Sequence, residues 1–163
     1  MGGRIQCHDD VNLAKIVEEK APQRILALGT QAANLFTEYL VQHPQAVLTH
    51  MADGDWLASI QAGQRFDFIY LSGVLEQLSK QQACTLLAQL RKGGQLLYAK
   101  VPLGKAWLNH ASLWEKNDMR SLGFDLIYLS AEHDRPVGLF CCDSSAYKTP
   151  TEWLNSKYWA QPD

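Results

Sequence analysis

Phe66 to Pro102, FDFIYLSGVLEQLSKQQACTLLAQLRKGGQLLYAKVP, decides the fold. Phe66 to Leu71 is an apolar run broken by a single acid, the pattern of a strand covered on both faces. Ser79 is an N-cap residue for a helix running through Arg91, with Ala83, Leu86, Leu87 and Leu90 as its apolar stripe. Lys92-Gly93-Gly94 ends that helix, a cation in the last turn and glycine after it. Gln95 to Val101 is a second strand, stopped by Pro102. Strand, helix and strand in this order make a right-handed crossover between two parallel strands.

The same alternation continues outward. Asp9 or Asp10 caps a first helix that carries Leu13, Ile16 and Val17 and ends at Pro22. Arg24 to Leu28 is a short buried strand ending at Gly29, and Thr30 to Val41 is a helix with Ala33, Leu35, Phe36, Tyr39 and Leu40 on one face. Ala46 to Met51 is a strand, Asp53-Gly54-Asp55 a turn, and Trp56 to Ile60 a short helix. Downstream, Ala111 to Leu122 is a helix stopped by Gly123. Phe124 to Ser130 and Val137 to Cys142 are the last strands, made antiparallel by the short hydrophilic segment from Ala131 to Pro136. This order predicts an α/β fold with a mostly parallel sheet and helices on both faces.

The chain has 163 residues, enough for one domain over 1–163 with its core at 24–142, an N-terminal helix in 1–23 and an aromatic tail in 143–163. Trp153, Tyr158 and Trp159 in that tail are expected to pack on the sheet edge or to form a homodimer contact. A net charge of −2 and a pI near 6.2 give no reason to expect a nucleic-acid or anionic-membrane partner. No apolar run approaches the ~20 residues of a membrane span, so the expected location is cytoplasmic. Cys7, Cys84, Cys141 and Cys142 contain no Cys-x-x-Cys pair and read as reduced thiols. No two histidines have metal-ligand spacing, and no metal site is expected; Glu132-His133-Asp134 reads as a solvated hairpin turn.

The Phe66-Asp67 opening, the turn Gly73-Val74-Leu75-Glu76-Gln77-Leu78 and the Gly93-Gly94 pair resemble the class I S-adenosylmethionine-dependent methyltransferases. The resemblance covers roughly Arg24 to Cys142. It implies a Rossmann-like methyltransferase fold of about six strands with a C-terminal antiparallel hairpin. Only about 38 positions separate Gly29 from Asp67, so the edge strand is expected to be lost or vestigial, and Ala46 to Met51 stands as either the family's second or its third strand. The implied activity is S-adenosylmethionine-dependent methyl transfer to a small-molecule or protein substrate. The alternative is a binding or scaffolding protein of the same fold that has lost the cofactor.

The resemblance places the cofactor around Gly29, Thr30 and Gln31, then Asp53, Asp55 and Trp56, then Ser72, Gly73 and Val74. Where the family has an acidic-x-Gly-x-Gly-x-Gly loop, this chain has Ala27, Gly29, Gln31 and Ala33. If the strand before them is the second, the resemblance implies an acid that accepts the ribose hydroxyls, and Asp53 and Asp55 are the nearest; if it is the third, Asp55 would take the adenine amino group and Trp56 flank the ring; the alternative to both is a solvated turn in which Asp53 caps the following helix. Glu76 reads as a cap or a solvated acid, Lys100 as a strand-end lysine reaching solvent, and Trp107 to Trp114 as core cover or a lid. No residue is assigned as a catalytic base.

Overall fold

The computed structural model describes residues 8–53, 56, 64–104, 110–132 and 135–143. Along the chain lie α1 (His8–Lys20), β1 (Arg24–Leu28), a 3-10 turn (Ala32–Phe36), α2 (Thr37–Gln42), β2 (Val47–Met51) and β3 (Phe66–Ser72). A second 3-10 turn (Leu75–Gln77), α3 (Lys80–Gly93), β4 (Gly94–Pro102), α4 (Lys116–Ser121), β5 (Asp125–Glu132) and β6 (Arg135–Asp143) follow. The strands form one six-stranded sheet in the order β2-β1-β3-β4-β6-β5. The first four are parallel, β6 runs antiparallel to β4, and β5 pairs antiparallel with β6. Sequence and structure agree on the six strands and the terminal antiparallel pair. Because β2 lies directly beside β1, Ala46 to Met51 takes the second-strand place of a doubly wound sheet.

Period-2 alternation sends neighbouring residues of the central strands to opposite layers. Leu26, Leu28, Ile69, Leu71, Leu97 and Ala99 pack under α3. Ile25, Ala27, Phe68, Tyr70 and Tyr98 pack under α1 and α2, where Leu13, Val17, Phe36 and Tyr39 cover them. Helices therefore shield both faces, which is why β1 and β3 read as near-continuous apolar runs. α3 begins as expected: the Ser79 hydroxyl accepts from the Gln82 amide at 3.1 Å, and the Gln82 side chain accepts from the Ser79 amide at 3.1 Å.

Two expected helices need correction. The Thr30 to Val41 helix starts at Ala32, and its first half is a 3-10 turn; Gln31 stands at its N-cap without a side-chain cap bond. The Ala111 to Leu122 helix shrinks to α4, because Trp114 turns inward, fully buried, and pairs with Leu103 in an isolated bridge. Lys92-Gly93-Gly94 ends α3 as expected, with Arg91 and Lys92 in the last turn, and neither glycine has a positive φ. The two glycines answer to crowding: a Cβ at Gly93 would strike the Gln64 carbonyl oxygen, and one at Gly94 the Ile69 side chain. The last hairpin is also tighter than expected, its strands reaching Glu132 and Arg135. Cys7, Asp55, the helix beyond Trp56, Trp107, His133, Asp134 and the aromatic tail lie outside the described residues.

Candidate functional site

Three strand ends meet at Gly29. Its φ is +114°, a backbone conformation only glycine adopts without strain. Its amide donates to the Met51 carbonyl at the end of β2 at 3.0 Å, and its carbonyl accepts from the Ala32 amide at 3.2 Å. The same carbonyl lies 2.8 Å from His50 Nε2. On its other side the loop rests on β3, where a Cβ at Gly29 would collide with the Ser72 carbonyl. After β1 the chain climbs to α2 on one face; after β3 it climbs to α3 on the other. Strand order reverses between them, which is where open α/β sheets keep their ligand crevice.

A cavity of about 550 Å³ opens at this point, with Gln31, Asn34, Glu38, Tyr70, Ser72 and Lys100 among its lining residues. Its size falls in the range of small-molecule sites. Of the residues singled out from the sequence, Gln31 and Ser72 line it directly. Thr30 is exposed and Gly73, with φ +74°, half-buried on the two loops that flank it. Asp53 is exposed just past β2. Val74 and Trp56 are only 1% and 5% exposed and belong to the core layer under α3, so they can floor a crevice but present little surface to a ligand. The Trp56 indole N–H donates to the Met51 carbonyl at 3.2 Å. The 3-10 opening has a chemical consequence. The Ala32 and Asn34 amides bond to the Gly29 and Gln31 carbonyls, so these two donors are turned into the loop rather than toward a ligand.

Glu76 departs from its sequence reading as a cap or a solvated acid. It is 6% exposed, and its Oε1 has no hydrogen-bond partner among the described residues. Its backbone carbonyl is held by the Ala111 and Ser112 amides at 2.8 and 3.2 Å. Burial pushes the carboxyl pKa up to about 7, against the lowering effect of its own backbone amide, with Glu132 adding a smaller upward push. Glu132 in turn is paired to Lys100 at 2.7 Å. Lys100, expected to reach solvent, has a side chain only 14% exposed. The overlooked signal was an acid inside the apolar turn Val74-Leu75-Glu76, where the flanking residues go into the core and take the acid with them.

Ser112 and Trp114 brace this wall. The Ser112 hydroxyl lies 2.7 Å from the Leu78 carbonyl and 3.1 Å from that of Leu75, and it accepts the Trp114 indole N–H at 2.8 Å. Two of the three contacts reach the 3-10 turn that carries Glu76 and its flank.

Solved methyltransferase structures share the fold. The magnesium protoporphyrin IX methyltransferase of Synechocystis, with S-adenosylhomocysteine bound, superposes with a TM-score of 0.57 at 10% identity, covering 82% of this chain and 80% of that one. A putative O-methyltransferase of Nostoc punctiforme gives 0.59 at 14% identity, covering 86% of this chain and 56% of that one. TehB of Haemophilus influenzae gives 0.55 at 12%, covering 83% and 61% respectively. At these identities the likeness establishes a divergent class I methyltransferase-like fold, Rossmann-like and α/β. No curated protein matches the chain in sequence. A family profile does match, over residues 8–163, and by that match the chain belongs to a family of unknown function, DUF6231.

Proposed function

We propose that the chain binds S-adenosylmethionine in the crevice between the β1 and β3 loops and transfers its methyl group to a small-molecule or protein acceptor. The observation that carries this is the cavity at the strand-order reversal, lined by Gln31 in the loop after β1 and by Ser72 at the end of β3. The residues fit the cofactor. Glu38, Lys100 (already paired with Glu132) and the side-chain carboxamides of Gln31 and Asn34 give the cavity polar groups for a zwitterionic amino-acid end, and Tyr70 and Leu35 give it apolar wall. In this reading Gly29, Thr30, Gln31, Ser72 and Gly73 hold the amino-acid end. Asp53 or Asp55, the nearest acids past this second strand, takes the ribose hydroxyls, and Val74 and Trp56 form the floor. Bound there, the cofactor would supply an electrophilic methyl group. The chain's own contribution is alignment and exclusion of water, which supply much of the acceleration in such transfers.

Two features of the loop predict modest affinity. Ala27 replaces the acidic position, and two amides are spent inside the 3-10 turn. Each missing charge-assisted bond is worth roughly 1.5–3 kcal/mol, so two weaken binding about a hundredfold or more. The same features favour a second reading, a non-catalytic binding or scaffolding protein. Calorimetric titration with S-adenosylmethionine and S-adenosylhomocysteine separates the two. Micromolar binding that falls in Gln31→Ala and Asp55→Ala supports the enzyme; no heat and no thermal shift at millimolar ligand sinks it.

Among the described residues no helix is long and apolar enough to cross a membrane. A cytoplasmic location, the absence of a nucleic-acid partner and a homodimer through the aromatic tail belong to the same proposal. Light scattering of the full chain against a version ending at Asp143 tests the last.

A further inference from the structure

We propose that the edge strand β5 carries the docking surface for the aromatic C-terminal segment of a second copy of this chain, with Leu126 and Leu129 at its centre. The inference rests on the homodimer reading and adds to it the surface that receives the tail.

The sheet ends at β5, which pairs with β6 alone. That pairing fixes where its side chains go, because cross-strand neighbours share a face. Leu126 stands opposite Phe140 and Leu129 opposite Gly138. Phe140 belongs to the core layer under α3, and a Cβ at Gly138 would strike its ring. Leu126 and Leu129 therefore extend the α3 layer outward. Tyr128, opposite Leu139, goes to the other layer, where α1 reaches β5.

Cover on the α3 side runs out before these leucines. α4 is six residues long and stops at Ser121, ahead of β5. Leu126 and Leu129 stay 38% and 47% exposed, and Ile127 between them 45%. Three large aliphatic residues within four positions make a continuous apolar strip, which marks an interaction surface better than scattered exposure does. Ile127 is also the extra residue of a bulge, since the register on β6 shifts between Leu126 and Tyr128. A bulge interrupts the outer row of backbone donors and acceptors, so the strip suits packing by side chains rather than addition of a strand.

What leaves the same edge identifies the occupant. β6 ends at Asp143, two residues past Cys141, the partner of Asp125 at the start of β5. Residues 144–163, outside the described residues, continue from that point and carry Trp153, Tyr158 and Trp159. Giver and receiver thus share one end of one edge, as a two-fold contact requires when each copy gives its segment to the other. Trp153 lies ten residues beyond Asp143, a reach of up to about 33 Å, longer than the about 27 Å of β5. Exchanged rings burying about 150–250 Å² each, three from either copy, bring roughly 900–1,500 Å² before the strips are added, near the roughly 1,200–2,000 Å² of a specific interface. The rims match in sign as well. Asp125 and Asp143 are exposed beside the strip's start, and Lys148 and Lys157 lie among the tail's aromatics.

The test reads mass in solution on the full chain. Wild-type protein at high micromolar concentration is expected to scatter light as a dimer. Leu126→Ser with Leu129→Ser should weaken the dimer about a hundredfold or more, and so should Trp153→Ala with Trp159→Ala, with far-ultraviolet circular dichroism unchanged in both. Leu129→Lys alone, at the most exposed of the three positions, serves if the leucine pair folds poorly and should also leave single chains. A dimer that the tryptophan pair dissociates and the leucine variants leave intact overturns the inference and spares the tail-mediated dimer. A wild-type monomer, or a dimer indifferent to the tryptophans, overturns both.

Discussion

The carbonyl oxygen of Ser72 occupies the space where a Cβ on Gly29 would stand. This contact joins the turn after β1 to the end of β3 and sets the distance between the two loops that border the crevice. It also explains why glycine survives at this one position of a loop whose other family glycines are Gln31 and Ala33. Gly29 answers to the protein's own backbone, whatever the loop binds.

Gly29→Ala should therefore cost more than a turn glycine normally does. The positive φ alone is worth about 1–3 kcal/mol, and displacing the β3 end adds about the same again. Gly73→Ala, with φ +74° but no close contact, should lose only the first part. Urea unfolding of both variants measures the difference; equal losses would mean the Ser72 contact is not limiting.

Glu76 makes stability depend on pH with a definite sign. Its carboxyl is raised from 4.5 to about 7 in the folded state, so the native protein holds the proton more tightly than the unfolded chain. The resulting stabilisation is complete below pH 4.5 and is lost as pH rises through about 7, a loss of roughly 3 kcal/mol at most. Glu76→Gln should remove this component and be the more stable form at pH 8. Denaturation of both proteins at pH 5 and pH 8 checks the sign.

Ser112→Ala should destabilise by about 1–3 kcal/mol, because it removes the hydroxyl that accepts the indole N–H of the fully buried Trp114 and that donates to the carbonyls of the Glu76 turn and its flank. Near-ultraviolet circular dichroism of the Trp114 region should change with it. A variant of wild-type stability would show that other groups already satisfy the indole.

Asp67 explains the acid in the Phe66-Asp67 opening as a structural one. Its Oδ2 accepts from the Gln23 and Arg24 amides at 2.9 and 3.1 Å and so pins the start of β1 to β3. Asp67→Ala should cost about 1–2 kcal/mol. Asp67→Asn, which keeps an acceptor oxygen, should cost less, and neither should alter ligand affinity beyond the change in stability.

Much of the fold was legible because its signals are local. Ser79 and Gln82 cap α3, and β1 and β3 alternate between the two core layers, so periodicity and capping located these elements closely. The misread segments are those where a distant partner overrides local preference. Trp114 leaves the helical pattern of 111–122 to fill the core under Leu103, and Thr30 gives up its helix to the bonds that tie Gly29 to β2. The site divided in the same way. Gln31 and Ser72 could be named from their places after strands, whereas Glu76 and Lys100 could not be told from surface charges.

The sequence by itself determined the order of strands and helices and the crossover through Phe66 to Pro102. These follow from hydrophobic period, caps and turns within a few residues. Only the tertiary structure decided that β2 lies beside β1, that Gly29 is held against Ser72, and that Glu76 is stripped of water while Lys100 is claimed by Glu132. Burial and charge pairing depend on what other strands and loops bring close, and no local pattern along the chain encodes that proximity.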